Sequence, residues 1–435
     1  MDKELFAKRR RDLMAQMGGG VAIIPTAPVS TRNNDVHYPY RPDSDFYYLT
    51  HFPEPEAVAV FVPGREHGEY ILFCRERDPE KEIWDGYRAG QEGACDIYGA
   101  DDSFPIDDMD DILPGLLENR EKVFCNMGRY PDFDHRLMSW VNEVRTKARN
   151  GVHAPGEFVG IDHILHEMRL IKRSEEVRLM KTAAKVSARA HRRAMQVCKP
   201  GMMEYELEAE LLYEFKKGGS SFPAYSPIVG GGANGCILHY IENNSKLNSG
   251  DLVLIDAGAE MDGYAADITR TFPVNGKYND EQKALYNLVL KAQLAAIDQV
   301  KPGRHWNDPH DKAVRVLAEG LKELGLLNGS LDELIEKGHY RRFYMHRTGH
   351  WLGMDVHDVG DYKIEDDWRM LEPGMVLTVE PGLYIAGGDK TVDKRWWNIG
   401  IRIEDDVLVT AQGHEVLSKD VPKTVDEIEA LMAAQ

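Results

Sequence analysis

DLVLIDAGAEMDGYAADITRTFP, residues 251–273, contains two apolar, β-branched runs that flank a turn signal. The first run covers residues 252–255 and the second covers residues 265–272. Runs of this composition on either side of a short polar segment are typical of a β-hairpin. A carboxylate stands in each arm where an apolar residue is expected, Asp256 directly after the first run and Asp267 within the second. The sequence therefore predicts a hairpin with one aspartate on each arm.

The turn decides how these two aspartates are related. We place it as a type I turn with residues 261–262 at its centre and Gly263 at its last position, where this turn type favours glycine. In this register Asp256 lies directly opposite Asp267. Like charges that face each other destabilise a strand pair, and burying an unpaired carboxylate is costly, so a cation between them is favoured. The alternative is two unrelated strand-end aspartates, one capping a turn and the other pairing with Arg270.

Length and composition predict a two-domain globular protein. A chain of 435 residues exceeds one ordinary core, and we place the boundary so that residues 1–170 form an α/β domain and residues 171–435 a second domain. Mean hydropathy is negative, and no apolar run approaches the length of a membrane span. The basic N-terminus has no hydrophobic region behind it, so we expect no signal peptide and a cytoplasmic location.

Charge narrows the set of partners. The net charge of −19 argues against nucleic acid and anionic membranes as main partners. It favours weak attraction for cationic ligands, such as peptides with a free amino end. The five cysteines show no metal-type spacing, so free, buried thiols in a reducing compartment are expected. They are Cys74, Cys95, Cys125, Cys198 and Cys236.

The N-terminal domain has the pattern of alternating strands and helices. Strand-like runs cover residues 21–24, 57–62, 70–74 and 123–125, and helical patterns lie near the N-terminus and at residues 132–148. We interpret the aromatic tract 32–52 as a loop-and-strand segment. The segment EIWDGYR, residues 82–88, places Trp84 among charges. Trp84 is either an exposed contact or a cover over the core, and its apolar bulk favours the cover.

The second domain shows a repeated order of elements. A helix from about Ser174, which we take as its N-cap, stops at Lys199-Pro200-Gly201, and another helix covers residues 204–217. The order recurs with helices at about 280–300 and 309–324 around a second Lys-Pro-Gly, at 301–303. We interpret this as an internal duplication of two α/β halves that contribute strands to one sheet. The alternative is coincidence, because Pro-Gly helix stops are common.

Further carboxylates follow strand-like runs in the second half. Residues 375–379 lead into Glu380. Alternation over 399–404 puts Arg402 and Glu404 on the face opposite three isoleucines. The segment HRTGHWLGMDVHD, residues 346–358, adds three histidines, His346, His350 and His357. Each histidine alone is more often structural than a ligand, but three of them beside four carboxylates indicate a metal site.

The donor set predicts the kind of metal. Oxygen-rich, thiolate-free ligation suits hard divalent ions such as Mn²⁺, with Zn²⁺ or Co²⁺ as alternatives. Four carboxylates exceed what one catalytic zinc uses, and they suit two ions that hold a water or hydroxide between them. From the residues alone, the prediction is a dinuclear hydrolase.

These residues resemble the "pita-bread" metallopeptidases, and the resemblance implies an α/β (α+β) protein with a creatinase-like N-terminal domain and a C-terminal pita-bread domain of two pseudo-symmetric α/β halves. HRTGHWLGMDVHD resembles the proline-peptidase signature, and the tracts 32–58, 82–91, 234–243, 254–274 and 371–385 resemble bacterial Xaa-Pro aminopeptidases. The resemblance implies that five ligands hold two metals: Asp256 one ion, Asp267 and Glu404 both, and His350 and Glu380 the other. The five are Asp256, Asp267, His350, Glu380 and Glu404.

The resemblance also implies roles around the metals. A hydroxide between the ions would attack the peptide carbonyl, with Glu380 relaying the proton to the leaving proline nitrogen. His239 and His357 would bind the substrate and steady the tetrahedral intermediate. His346 and Tyr384 would line a proline pocket.

Arg402 would orient Glu404 from behind, accompanied by Tyr225 and Asp35. Trp84 would reach a neighbouring subunit's site in a homo-oligomer, a dimer or a tetramer.

Three alternatives remain at this stage. A prolidase shares both domains and all five ligands but is restricted to Xaa-Pro dipeptides, and Arg347 and Arg369 are candidates to hold a dipeptide's carboxylate. Arg347 also stands where many members of the family carry glycine. A non-catalytic binding protein on the same fold and a metal-free hydrolase such as creatinase are opposed by the complete ligand set.

Overall fold

The protein, described by a computed structural model over residues 3–434, forms two compact units, Met1–Glu167 and Met168–Gln435. We refer to them as the N-terminal unit and the C-terminal unit. The division between them lies three residues before the boundary placed from the sequence. Within residues 3–434, no helix has the combination of length and apolar character that crossing a bilayer requires.

The N-terminal unit is built on one six-stranded mixed sheet. Its strand order is β6-β5-β4-β1-β7-β8. The strands are β1 (Val21–Pro25), β2 (Thr31–Asn33), β3 (Val36–His37), β4 (Val58–Phe61), β5 (Tyr70–Cys74), β6 (Asp102–Pro105), β7 (Lys122–Cys125) and β8 (Glu157–Gly160). The helices are α1 (Lys3–Met17), α2 (Ser44–Thr50), α3 (Pro79–Asp85), α4 (Gly90–Asp96), α5 (Met109–Leu117) and α6 (Pro131–Thr146). A seventh helix, α7 (Asp162–Leu170), spans the division between the units.

The apolar runs of this unit form its core as the sequence predicts. Val21, Val60 and Phe73 of the central strands are buried against Leu113 of α5 and Trp140 of α6. Two predictions for this unit were wrong. The aromatic tract contains the helix α2, capped by the side chain of Asp43. Trp84 does not cover the core, because its side chain on α3 is 86% exposed.

The C-terminal unit contains the predicted pairs of helices. Its helices are α8 (Ser174–Val197), α9 (Glu204–Lys217), α10 (Asp280–Ile297), α11 (Asp308–Glu323), α12 (Leu331–Glu336) and α13 (Val425–Ala433). The N-cap of α8 is Arg173, and Ser174 is the first helical residue instead of the cap. All five cysteines are free, and Cys74, Cys125 and Cys198 are buried.

The strands of this unit form several short antiparallel ladders rather than the single sheet we expected. Three-stranded sheets have the orders β13-β10-β9 and β16-β19-β20, and β17 pairs with β18. The strands are β9 (Ile228–Gly231), β10 (Leu252–Asp256), β11 (Glu260–Met261), β12 (Tyr264–Ala265), β13 (Thr269–Pro273), β14 (Lys363–Ile364), β15 (Asp367–Trp368), β16 (Val376–Val379), β17 (Gly382–Ile385), β18 (Ile399–Arg402), β19 (Asp405–Thr410) and β20 (Gly413–Val416). Each helix pair, α8–α9 and α10–α11, precedes one of the three-stranded sheets, so the repeated order of elements is present.

The hairpin of residues 251–273 forms, but its register differs from our prediction. Met261 pairs with Tyr264, so the two central turn residues are Asp262 and Gly263. Their φ angles are 50° and 82°, and positive φ at both positions defines a type I′ turn, which the Asp-Gly pair favours. Asp256 consequently pairs with Thr269 instead of Asp267.

Candidate metal centre and substrate cavity

One cavity of about 570 Å³ in the C-terminal unit contains most of the residues that the sequence singled out. Carboxylates and histidines form its polar part, and aliphatic side chains form the rest. It is lined by Tyr225, Ser226, Ile228, Leu238, His239, Ile241, Asp256, Asp267, His346, Arg347, Gly349, His350, Val356, His357, Glu380, Arg402 and Glu404.

Strand ends bring the five predicted ligands to this cavity. Asp256 ends β10, and Asp267 lies between β12 and β13. Glu380 directly follows β16, and Glu404 follows β18. His350 precedes Trp351, which makes an isolated bridge to the same β16. Ladders with a carboxylate at their ends therefore place four acids and one imidazole together.

The ligand atoms lie close to one another. Oxygens of Asp267 and Glu404 and a ring nitrogen of His350 all lie within 4.8 Å of each other. His350 Nε2 is 3.3 Å from Asp267 Oδ2 and 3.5 Å from Glu380 Oε1. The Tyr225 hydroxyl lies 2.5 Å from Asp256 Oδ1 and 2.6 Å from Asp267 Oδ1. The aspartates are thus joined through one phenol even though they are not paired in the ladder.

Mutual repulsion and burial disturb the acidity of these carboxyls. Burial, followed by the charge of Asp267, raises the pKa of Glu404 well above its usual range. Burial likewise raises the pKa of Glu380 to about 7, although the charges of His350 and Arg402 act against it. The pKa of Asp256 is also raised by burial. Raised pKa values at several neighbouring carboxyls are typical of a site where a bound cation compensates their negative charge.

Asp267 and His350 show the opposite response because they pair with each other. Burial opposes the charged form of Asp267, but the hydrogen bond and charge of His350 lower the pKa of this carboxyl below its usual value. Burial would lower the pKa of His350, but the hydrogen bond with Asp267 and the charge of Glu380 raise it to about 9. In the protein alone, a protonated imidazole thus supplies positive charge that a metal would otherwise supply.

The donor set fits divalent metal ions. His350 Nδ1 lies 2.9 Å from the Trp351 carbonyl, so Nδ1 carries a proton and, in the neutral imidazole, Nε2 is left to coordinate a metal on the carboxylate side. The other ligands are carboxylate oxygens, which hard divalent ions prefer. Asp256, Asp267, His350, Glu380 and Glu404 could hold such ions.

Arg402 supports a different ligand from the one we expected. Its guanidinium donates to Asp256 Oδ2 at 2.6 Å, so its direct contact is with Asp256 instead of Glu404. Arg402 Nε also donates to the Thr269 hydroxyl at 3.1 Å. That hydroxyl donates to Glu404 Oε2 at 2.6 Å. Arg402 therefore reaches Glu404 only through Thr269, which the sequence analysis did not single out.

Tyr384 lies behind the cavity instead of forming its wall. The side chain is buried and is absent from the lining residues of the described chain. Its hydroxyl is 2.8 Å from His346 Nε2 and accepts from Arg402 Nη1 at 3.0 Å. Because His346 does line the cavity, Tyr384 acts on the wall through that histidine.

Two histidines face the cavity without belonging to the ligand cluster. His357 stacks edge-on against His350, with ring centroids 4.3 Å apart. His239 lies in a turn between Leu238 and Tyr240 and is exposed. Burial and the charge of His350 lower the pKa of His357, so it is neutral near pH 7 and can donate or accept one hydrogen bond.

Asp35 and Trp84 lie in the N-terminal unit. Asp35 is exposed between β2 and β3, and its carboxylate accepts from the Asn34 amide at 3.4 Å. Trp84 is exposed on α3 together with Ile83, and Tyr87, just beyond the end of α3, is exposed as well. Arg347 lines the cavity, whereas Arg369 does not appear among its described lining residues.

The sequence analysis missed the threonines that orient ligands. Thr378 accepts from the His350 backbone N–H at 3.1 Å and donates to Glu380 Oε1 at 3.2 Å. Thr269 connects Arg402 with Glu404 as described above. Both hydroxyls stand in β-branched strand residues, where threonine is common for its β-propensity alone. The position of Thr378, two residues before Glu380 and therefore on the same face of the strand, is the signal that could have found it.

Comparison with known proteins defines the class of this chain. The model of metallopeptidase family M24 matches residues 178–411, and the model of the aminopeptidase P N-terminal domain matches residues 6–124. The Xaa-Pro aminopeptidase of Escherichia coli K12 is 45% identical over 100% of this chain and 98% of its own length.

Solved structures agree with this class. The aminopeptidase PepP of Pseudomonas aeruginosa is 62% identical with a TM-score of 0.99, covering 100% of this chain and 98% of that one. A glutamate-to-alanine variant of Escherichia coli aminopeptidase P in complex with substrate is 45% identical with a TM-score of 0.97, covering 100% and 99%. The chain belongs to the Xaa-Pro aminopeptidases of metallopeptidase family M24.

Proposed function

We propose that the protein is a metal-dependent exopeptidase that hydrolyses the bond between an N-terminal residue and a following proline. The observation that carries this proposal is the convergence of Asp256, Asp267, His350, Glu380 and Glu404 in a single cavity. Four largely buried carboxyls at one cavity are costly without compensating positive charge, which supports a metal centre at this site. Membership of the Xaa-Pro aminopeptidases supports the proline specificity.

We propose that the five ligands hold two divalent ions, with Mn²⁺ as the native metal. The preference for Mn²⁺ is supported by four carboxylates, one imidazole and no thiolate in the donor set. When bound, the ions supply a Lewis acid for the scissile carbonyl and acidify water.

Glu380 is proposed as the group that moves the proton. In the protein alone, its pKa of about 7 lies near the pH at which a group can accept and then release a proton efficiently. Thr378 holds Oε1 of this carboxylate, so the other oxygen, Oε2, faces His346 Nδ1 at 3.8 Å. A proton accepted from water would pass to the departing proline nitrogen.

His239 and His357 are proposed to bind the peptide around the reacting carbonyl. Both line the cavity, and neither belongs to the ligand cluster, so their ring nitrogens remain for the substrate. A hydrogen bond that strengthens as the carbonyl becomes tetrahedral accelerates the reaction. His346, supported by Tyr384, is proposed to form one side of the proline pocket.

A proline after the scissile bond requires a specific pocket, because its nitrogen carries no N–H and its ring fixes the φ angle. The aliphatic part of the lining, Ile228, Leu238, Ile241 and Val356, supplies apolar surface without donors. Arg347 at the same cavity adds a charged side chain. We propose that it affects which residue follows proline.

We further propose a cytoplasmic homo-oligomer, a dimer or a tetramer, in which Trp84 serves the site of a neighbouring copy and Asp35 accompanies Arg402. The exposed apolar side chains of Ile83, Trp84 and Tyr87 support a contact surface at the C-terminal end of α3. Light scattering of the purified protein tests this part. A monomer at micromolar concentration would contradict it.

The function is tested with an Xaa-Pro-Xaa tripeptide and the matching Xaa-Pro dipeptide. Protein reconstituted with Mn²⁺ is compared with the same protein in the presence of a chelator. We expect metal-dependent release of the first residue from the tripeptide. Cleavage of the dipeptide alone would make the protein a prolidase, and cleavage of neither by protein with confirmed metal content would refute the proline specificity.

A further inference from the structure

Glu204, the first residue of α9, is a fully buried carboxylate with 0% exposure. Its Oε1 accepts from the Gly231 N–H at 2.8 Å and from Asn234 Nδ2 at 3.0 Å. Its Oε2 accepts from the Tyr240 hydroxyl at 2.8 Å and from the Ser245 N–H at 2.8 Å. These four partners are all uncharged and all belong to residues 231–245.

Four donors occupy the acceptor positions that an ionised carboxylate offers. Two of them, Gly231 and Ser245, stand at the ends of the segment, and the other two lie within it. Glu204 therefore closes residues 231–245 into a loop, which we name the His239 loop. Gly231 permits this closure, because a Cβ at this position would lie 2.5 Å from the Leu247 side chain.

The His239 loop forms one side of the substrate cavity. Leu238, His239 and Ile241 line the cavity, whereas the neighbouring Tyr240 is only 6% exposed. The Tyr240 ring packs with Leu254 of β10 in a small buried cluster beneath the cavity. The exposed His239 directly precedes the buried Tyr240, so an anchored Tyr240 fixes the backbone next to His239.

We propose that Glu204 is a positioning residue that holds His239 at the substrate cavity through Tyr240 and the closed loop. Glu204 does not line the cavity, so it acts on the reaction only through this loop. This inference rests on the proposed function, in which His239 binds the peptide as the carbonyl becomes tetrahedral.

Replacing Glu204 with glutamine tests the inference with almost no change of volume. The amide offers one acceptor oxygen, and its NH₂ group faces two former donors, so half of the closure is lost. A displacement of a catalytic contact by about 1 Å costs on the order of 100-fold in rate. We expect kcat to fall by up to about 100-fold with little change in KM, and no change in metal affinity.

Glu210→Gln is the matched control on the same helix. Glu210 pairs with Arg193 at 2.9 Å on the surface, so the same substitution there leaves kinetics unchanged. Tyr240→Phe is a second, milder variant that keeps the packed ring and removes one donor. It is expected to lower kcat in the same direction and by less, and it keeps the test open should Glu204→Gln fail to fold.

The experiment compares wild type, Glu204→Gln, Glu210→Gln, His239→Ala and the double variant Glu204→Gln/His239→Ala. Cleavage of an Xaa-Pro-Xaa tripeptide, Mn²⁺ affinity by calorimetry and hydrogen exchange of residues 231–245 are measured for each. We expect the double variant to be no slower than His239→Ala, because Glu204 acts only through His239. Faster exchange in Glu204→Gln should be confined to the His239 loop.

Wild-type kcat and wild-type exchange in Glu204→Gln would overturn the inference. Additive losses in the double variant together with weaker Mn²⁺ binding would overturn it as well, since they indicate general loosening. If wild type cleaves no peptide, the proposed function fails. The exchange data then decide whether Glu204 holds the loop, and unchanged exchange refutes it.

Discussion

His239 and His357, two of the three cavity-lining histidines outside the predicted ligand set, are held by opposite electrostatic means. The His239 loop closes on Glu204, whose four partners are uncharged. We name residues 351–358 the His357 loop. The carboxylate of Asp358, at the end of this loop, pairs with two buried cations. Arg169 donates to Asp358 Oδ1 at 2.7 Å, and Lys172 donates to Oδ2 at 2.8 Å.

The two loops also differ in whether they are connected to a proposed metal ligand. The Asp358 backbone N–H donates to the Trp351 carbonyl at 2.9 Å, and the same carbonyl accepts from His350 Nδ1 at 2.9 Å. The His357 loop is therefore connected to His350, a proposed metal ligand, whereas the His239 loop is connected to α9. A disturbance of the His357 loop should affect stability and metal binding together, and a disturbance of the His239 loop should affect catalysis alone.

The largest effect is expected from Asp358→Ala. Burial alone would raise the pKa of Asp358, but Lys172 and Arg169 lower it below its usual value, so the carboxylate is ionised at neutral pH. Removing it leaves two buried cations without this partner, which costs about 3–5 kcal/mol. Urea unfolding measures the change in the free energy of unfolding. Calorimetry should show weaker Mn²⁺ binding.

Glu415→Ala is the control for this prediction. Glu415 pairs with Lys181 at 2.8 Å in a half-exposed bridge, so its loss should cost less than about 1 kcal/mol. Equal losses for Asp358→Ala and Glu415→Ala would show that the buried cluster does not hold the His357 loop.

A pH dependence of intermediate size should appear when the metal is removed. In the protein alone, the pKa of His350 is about 9, above the value of about 6.5 expected for the unfolded chain. Its protonation therefore stabilises the fold fully below pH 6.5, and this contribution is lost as pH rises toward 9. Burial also raises the pKa of Glu380 to about 7. The stability that its protonated form contributes is therefore lost as well while pH rises to about 7.

The window for this measurement is about pH 6.5 to 8. Buried histidines with lowered pKa values, such as His191 at about 4, act in the opposite direction only below pH 6.5. Chelated protein should lose about 2 kcal/mol of unfolding free energy across the window. Mn²⁺-loaded protein should lose much less, because ligation already requires neutral imidazole. A chelated protein whose stability is constant or rises would contradict the pairing of His350 with Asp267.

The smallest effect is expected from Thr378→Val, which keeps the β-branched shape and removes the hydroxyl. The hydroxyl connects the His350 backbone with Glu380, so metal affinity should fall by about 10-fold. Thr182→Val is the control, because its hydroxyl only returns to the Arg178 carbonyl on α8. Weaker Mn²⁺ binding in both variants would assign the change to threonine loss in general.

Local sequence patterns singled out the four carboxylates of the proposed ligand set because each one interrupts or ends an apolar run. Asp256, Glu380 and Glu404 stand where a strand-like run stops, Asp267 interrupts one, and all four line the cavity. The hairpin register was missed because the Asp262-Gly263 pair was not assigned to a type I′ turn. The signal was present in the sequence, since this dipeptide favours that turn.

Contacts over long distances in sequence could not be predicted in this way. Asp358 and Lys172 are 186 residues apart, and no periodicity relates them. Glu204 has the sequence context of an ordinary acidic residue in the first turn of a helix, where glutamate is favoured by the helix dipole. Only the fold shows that its carboxylate turns inward to the His239 loop.

We propose that Glu380 moves the proton in a metal-dependent cleavage before proline. The most direct test measures tripeptide hydrolysis and metal content on the same samples of wild type and Glu380→Gln. Glutamine keeps the shape of the side chain and one oxygen for a metal, but it cannot accept a proton at neutral pH. We predict that Glu380→Gln loses turnover while its metal content falls only in part. Full activity in Glu380→Gln would contradict the account.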